Sequence, residues 1–270
     1  MTDKSPFQVQ PHLQAILRSA EEEAWIRVSF NGHNTLLPAG TILTMAHCVV
    51  LTQEGNICLN VETSHLDWMR SRLVAGCVFL DVGSATGAMT IPIAIEHPEI
   101  QVVAFEPAER ARRLLKATLV KNDLLGVSVV PCAISDTDGS VSFADRGISE
   151  DGSVPFLPET STIVAEGHHD TYGDVVTMET LSLNTVCDRF GLSGRRVVVK
   201  IDIEGFEIKA LCGADRFLAN CHASLAIDIH VIPNGDGRTT EQTCREILSV
   251  AGYSHQEMMG HVLLAEKNQK

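Results

Sequence analysis

Apolar and polar positions recur at two different periods along this chain, and the changes of period mark its elements. Residues 78–82, 101–105 and 127–134 are short runs too apolar to have one wet face, so they read as strands covered on both sides. The stretches between them, 89–97 and 107–122, repeat at close to 3.6 residues. In the second, Ala111, Leu114, Leu115 and Leu119 make one apolar stripe. Strand and helix in this rhythm predict an α/β domain whose parallel strands are joined by helical crossovers. The rhythm resumes later, with strands over 197–203 and 224–232 and helices over 206–218 and 240–250. A closing hairpin is expected from 253–258 and 261–266.

Two regions fall outside that rhythm. Residues 1–75 combine an amphipathic segment (11–23), strand-like pieces (25–30 and 57–61), breaks at 31–33 and 38–40, and a helix over 64–73 with Ser64 as its N-cap. Residues 145–180 are rich in Gly, Ser, Asp, Glu, His and Pro and lose apolar periodicity, which predicts a long polar loop of a functional kind. The expected organisation is an N-terminal accessory or lid region over 1–75 and a ligand-binding domain over 76–270. No internal repeat is evident.

Composition narrows the partners. The chain has 270 residues and a net charge of −13, from 21 Lys+Arg against 34 Asp+Glu. Such a charge repels nucleic acid and anionic membranes. Arg110, Arg112, Arg113 and Lys116 are spaced as one solvated helix face rather than a basic stripe. The eight cysteines, at 48, 58, 77, 132, 187, 212, 221 and 244, show no metal-ligand spacing and several sit in apolar runs. They read as buried free thiols of a cytoplasmic protein. No apolar stretch is long enough to span a bilayer.

Candidate chemistry gathers where strands end, the place where open parallel sheets bind ligands. Asp81-Val-Gly83-Ser84-Ala-Thr-Gly87 follows the first strand of the repeating region: the glycines allow a tight turn and close approach, and an acid at Asp81 suits an ammonium group. One βαβ unit on, Glu106 ends the next strand, where a carboxylate can accept both hydroxyls of a ribose. The spacing Gly83 to Gly87 lacks the dinucleotide form G-x-G-x-x-G and offers no pyrophosphate cradle. The ligand therefore reads as a nucleoside without a diphosphate. S-adenosylmethionine matches these groups, with a nicotinamide dinucleotide as the alternative.

Two further pairs follow. Asp202 and Glu204 are expected on one side of a strand end, able to orient a ligand, act as base or hold a metal. Glu207 fits a plain helix-start carboxylate. Asp228 and His230 end the next strand, again two apart, and His230 has the side-chain chemistry of a general base. His168, His169 and Asp170, in the polar loop, read as solvated residues.

Assembled, these segments resemble the FkbM family of S-adenosylmethionine-dependent methyltransferases. The resemblance rests on FLDVGSATG, VVAFEPAERARRLLKATLVKN, VVPCAISDTDGSVSF, VVVKIDIEGFEIKALCGA and LAIDIH, covering roughly 78–232, with KIDIEGFE the most specific. It implies a Rossmann-like class I fold: a seven-stranded, mostly parallel sheet with helices on both faces and the last strand antiparallel. It also implies O-methylation of a hydroxyl on a sugar, polyketide or related small-molecule or glycan acceptor. By position, Asp81, Gly83, Ser84 and Gly87 would lie at the methionine part of the cofactor, Glu106 at the ribose and the backbone near Ala133 at the adenine. Asp202 and Glu204 would face the transferring methyl, with His230 beside the acceptor as first choice of base and Glu204 as second. The family's turn usually reads DVGANIG, so Ser84-Ala85-Thr86 is a departure. Ala133 stands where other methyltransferases carry an acid, and Asp228 where the family often has Glu. Rival readings are a magnesium-assisted O-methyltransferase with Asp202, Asp228 and His230 as ligands, and a cofactor-binding protein without turnover. A homodimer is compatible with all of them.

Overall fold

The computed structural model describes residues 24–45, 48–145, 162–163, 174–231 and 237–267. The amphipathic segment 11–23, most of the polar loop, and His168, His169 and Asp170 lie outside them.

A seven-stranded sheet organises the chain. Its strands are β5 (Val78–Val82), β6 (Gln101–Phe105), β7 (Ser128–Val130), β12 (Arg196–Ile201), β13 (His222–Asp228), β14 (His255–Met259) and β15 (Val262–Glu266), in the order β14-β15-β13-β12-β5-β6-β7. From β13 to β7 all pairings are parallel, while β15 runs antiparallel to β13 and pairs with β14 as the expected hairpin. The last strand is thus antiparallel, as the family resemblance implies.

Both faces are buried, which is why these strands lack polar alternation. Along β5, Val78, Leu80 and Val82 join one apolar cluster and Phe79 another. The first cluster is completed by α5 (Leu183–Phe190), α6 (Glu207–Cys212), α7 (Asp215–Asn220) and α8 (Thr240–Val250). On the other face lie α2 (Thr63–Arg70) and α3 (Thr90–Glu96). The stripe foreseen on α4 (Glu109–Lys121) sends Leu115 and Leu119 into a third cluster. There they meet Val28, Phe30, Leu37 and Leu59 of a four-stranded N-terminal sheet: β1 (Trp25–Phe30), β2 (His33–Pro38), β3 (Val49–Leu51) and β4 (Ile57–Leu59). One more helix, α1 (Ala39–Thr44), follows β2.

Several sequence expectations are corrected. The run 127–134 is not one strand. Pro131, which has no N–H to give a ladder, separates β7 from β8 (Ala133–Ser135), and β8 joins a different sheet. That sheet also contains β9 (Gly139–Asp145), β10 (Thr162–Ile163) and β11 (Asp174–Ser182), so the end of the expected loop is a strand. Val175 and Val176 are both exposed there and burial begins only toward the end of the strand, at Thr180, Leu181 and Ser182, so apolar alternation does not mark it; the ladder to β9 runs along most of its length. The helix 206–218 is broken into α6 and α7 at Gly213, where a Cβ would lie 2.5 Å from the Ser135 carbonyl oxygen. Ser64 is not an N-cap: α2 is preceded by Glu62, in a left-handed conformation and without a side-chain cap. Among the described residues, no helix is long and apolar enough to cross a membrane.

Candidate active site at the carboxyl edge of the sheet

Register decides which residues meet. Val82 is opposite Phe105 and Ile201, Ile201 is opposite Ile227, and Phe105 is opposite Val130. One residue beyond that aligned row stand Gly83, Glu106, Asp202 and Asp228, with Pro131 completing it. Backbone bonds extend the ladder into this row, from Gly83 N to Phe105 O (3.0 Å), Asp202 N to Val82 O (3.0 Å) and Glu106 N to Val130 O (3.1 Å). Four residues singled out in the sequence therefore share one edge.

The turn after β5 is shaped by its backbone. Gly83 has φ 79°, and a Cβ there would lie 1.9 Å from the Asp202 carbonyl oxygen. No other residue fits. At Gly87, with φ 100°, a Cβ would lie 2.6 Å from Leu115 and 2.9 Å from Ile91, so a side chain there would collide with the packing around the turn. Ala85 also sits in the left-handed region, at φ 46°. Its N–H donates to Glu106 Oε2 (2.7 Å), while Ala108 N donates to Glu106 Oε1 (2.7 Å). Burial pushes the Glu106 carboxyl up to about 7 against those two bonds. Ser84 is buried and its hydroxyl has no hydrogen-bond partner.

Asp81 lies beneath this turn, fully buried, accepting from Thr90 Oγ1 (2.6 Å). Its register partner on β12 is Lys200, a buried lysine that sequence reasoning passed over. Lys200 Nζ lies 2.9 Å from Asp202 Oδ2 and 3.9 Å from Asp81 Oδ1, and donates to Gly83 O (3.3 Å). Burial opposes its charge, but Asp202, Asp81 and Glu62 hold its pKa above the ordinary lysine value. A lysine inside the apolar run Val-Val-Val-Lys-Ile was the available signal, because lysine is almost never buried without partners.

The turn after β12 carries charge instead. β12 ends at Ile201, so strand alternation does not bring Asp202 and Glu204 together as expected. Glu204 is instead turned back by a left-handed backbone (φ 53°) followed by Gly205 at φ 100°. The outcome is the same. His230 Nε2 lies 3.9 Å from Asp202 Oδ1 and 3.5 Å from Glu204 Oε1. His230 Nδ1 is 2.9 Å from Glu207 Oε1. Glu207, read from sequence as a helix-start carboxylate, is fully buried and also accepts from Gly205 N (3.0 Å). The hydrogen bonds to Glu204 and Glu207 drive the His230 pKa to about 11. Asp228 is pushed up to about 6 by burial and then by the Asp202 charge, and its Oδ2 lies 3.3 Å from His261 Nε2.

One site member comes from outside the motifs. Glu62 is held at about 2: burial opposes its charge, but the His65 hydrogen bond (2.7 Å) and the charges of Lys200, His65 and His261 outweigh that. No motif in 1–75 marks it. Ala133 does not extend the row. It is buried on β8, opposite Thr180 of β11.

The donor set suits S-adenosylmethionine. Glu106 accepts only one bond per oxygen, which leaves lone pairs able to accept ribose hydroxyls, and the buried Ser84 hydroxyl has no hydrogen-bond partner. Comparison with known proteins agrees. A family model described as the methyltransferase FkbM domain matches residues 81–260. Methyltransferase sdnD of Sordaria araneosa is 29% identical over 126 residues, 46% of this chain and 43% of that protein, so the match spans less than half of that relative's length. Among solved structures, a precorrin-6y C5,15-methyltransferase from Geobacter metallireducens is 13% identical with a TM-score of 0.42, covering 81% of this chain and 95% of that one. A SAM-dependent O-methyltransferase from Thermotoga maritima is 11% identical with a TM-score of 0.41, covering 93% and 88%. Sheet order and ligand edge place the chain in the Rossmann-like class of S-adenosylmethionine-dependent methyltransferases. Within that class it belongs to the FkbM methyltransferase family, which removes the nicotinamide alternative.

Proposed function

We propose that the chain transfers a methyl group from S-adenosylmethionine to a hydroxyl of a sugar, polyketide or related metabolite. The shared row carries this reading: Gly83 and Glu106 are continuous with Asp202 and Asp228, so methyl donor and acceptor would lie side by side. When bound, S-adenosylmethionine supplies a methyl carbon on a cationic sulfur, and an acceptor oxygen attacks it as the carbon–sulfur bond breaks. Glu106 takes the ribose, Ser84 and the turn backbone the methionine end, and the backbone leading from Val130 to Ala133 flanks the adenine. Carboxylates at Glu62, Asp81, Asp202, Glu204, Glu207 and Asp228 outnumber the cations Lys200 and His230 set among them, a field that favours a cationic ligand.

The acceptor hydroxyl must lose its proton as the new carbon–oxygen bond forms. Both nitrogens of His230 face carboxylates, so the ring orients and Glu204 is the better proton acceptor. Alignment of acceptor and methyl supplies the larger share of the rate, on the order of 7–11 kcal/mol in favourable intramolecular cases. Residues of the N-terminal region shape the acceptor side, supported by the reach of Glu62 to Lys200 and His261.

Incubation with methyl-labelled cofactor and a panel of hydroxylated sugars, polyketides and amines tests the reading. Label recovered as a methyl ether is expected. Label recovered only on nitrogen, or no transfer to any member despite bound cofactor, would overturn it.

A further inference from the structure

Asp202, Asp228 and His230 each offer one ligating atom, and these atoms lie within 4.8 Å of one another. They follow two adjacent strands, β12 and β13: Asp202 stands one residue beyond Ile201, Asp228 is the last residue of β13, and His230 lies two residues further on. Their remaining bonds sort the atoms. Asp202 Oδ2 is committed to Lys200 at 2.9 Å, and Oδ1 is the oxygen on the His230 side. On the imidazole, Nδ1 is committed to Glu207, which leaves Nε2 on the side of Asp202 and Glu204.

Glu207 is a second and separate observation. It is 0% exposed, its carboxyl group is aimed at His230, and its Oε2 has no hydrogen-bond partner. A fully buried carboxylate is costly unless it serves a charged or polarised neighbour. Histidines that bind metals characteristically donate their other N–H to such a carboxylate, which fixes the tautomer and raises the basicity of the ligating nitrogen.

We propose that Asp202, Asp228 and His230 bind one divalent cation, magnesium or manganese, with Glu207 anchoring the imidazole. Two carboxylates and one imidazole suit hard or borderline divalent ions that prefer six ligands. Three protein ligands leave positions open for water and for the acceptor hydroxyl. The use of the ion rests on the methyl-transfer reading: a coordinated hydroxyl is more acidic and passes its proton to Glu204 as its oxygen bonds to the methyl carbon and the carbon–sulfur bond breaks. Binding of the ion does not depend on that reading.

Titration of chelator-stripped protein with manganese chloride, reading free Mn²⁺ by electron paramagnetic resonance without S-adenosylmethionine, tests the site. One saturable ion per chain is expected. Asp228→Asn and His230→Gln should each weaken it at least about tenfold, Glu207→Gln by about 10–100-fold, and the exposed-residue control Glu257→Gln not at all. Circular dichroism and a thermal melt on each variant identify any that fail to fold, and the isosteric Asp228→Asn keeps the test decisive. No saturable binding to the wild-type chain, or unchanged binding by a folded Asp228→Asn, would overturn the proposal. Calorimetry with S-adenosylmethionine in excess chelator separates the two readings: cofactor binding without manganese binding defeats the metal site alone, whereas manganese binding without methyl transfer to any acceptor defeats the enzymatic reading alone.

Discussion

The turns that follow β5 and β12 are neighbours in the sheet and opposites in chemistry. Both use left-handed backbone, at Gly83 and Ala85 in the first and at Glu204 and Gly205 in the second. In the first it serves shape: a glycine pressed against the Asp202 carbonyl, an orphan hydroxyl and the Ala85 N–H turned toward Glu106. The second spends it on charge, turning Glu204 back so that three carboxylates surround His230. On the proposed reading the first turn holds a nucleoside largely through its backbone, and the second acts on an acceptor through its side chains. They touch directly, since the Asp202 carbonyl fills the space that a side chain at Gly83 would need.

Lys200 ties the two together, so its loss should have the largest effect. Lys200→Met leaves Asp81 and Asp202 without their cation, and breaking a buried pair on one side costs about 3–5 kcal/mol. Urea denaturation should show that loss, and a change below about 1 kcal/mol would mean the two turns are independent. Gly83→Ala comes next. With a backbone oxygen 1.9 Å from the new Cβ, about 3 kcal/mol is expected, the upper range for overpacking, together with loss of cofactor binding. Retention of wild-type affinity would break the claim that cofactor binding needs the close packing of Gly83 on the Asp202 carbonyl.

A third test uses pH. Glu106 is raised from 4.5 to about 7 in the folded chain, so the folded state holds its proton more tightly than the unfolded one. Its contribution to stability therefore falls as pH rises from about 4.5 to 7. Cofactor affinity should move the other way, rising through pH 7 as the ionised carboxylate becomes the better acceptor for ribose hydroxyls. Melts and calorimetry across that window read the two opposite slopes, and parallel slopes would remove Glu106 from the cofactor site. The smallest effect is expected at Ala85, whose φ of 46° is costly for alanine. The family's usual turn has Asn at this position, a residue that tolerates the left-handed region. Ala85→Asn should raise stability by about 0.5–1 kcal/mol in a thermal melt, and destabilisation would show that the strain is not local.

Much of this was legible in the chain. Apolar runs without alternation identified the covered strands, and single residues at their ends identified Gly83, Glu106, Asp202 and Asp228, because strand ends are fixed by register. What stayed hidden depends on contacts across the fold. The break in 206–218 falls at Gly213, where the Ser135 and Asp136 backbone, far away in sequence, takes the space a side chain would need. The first half of β11 is paired with β9 while exposing Val175 and Val176, and only its end, at Thr180–Ser182, is buried. Glu207 looked like any helix-start acid, since only the position of His230 makes it an anchor. Glu62 could not be found at all, because the Lys200 charge that ties it to the site comes from β12, far along the chain.

The most direct measurement is calorimetric S-adenosylmethionine affinity alongside methyl-transfer rate for the wild-type chain, Glu106→Ala and Glu204→Gln. Glu106→Ala should lose affinity, while Glu204→Gln should keep affinity within a few-fold and lose about 10²–10⁴-fold in rate. Cofactor affinity that survives at Glu106→Ala and collapses at Glu204→Gln would contradict the division of labour between the two turns.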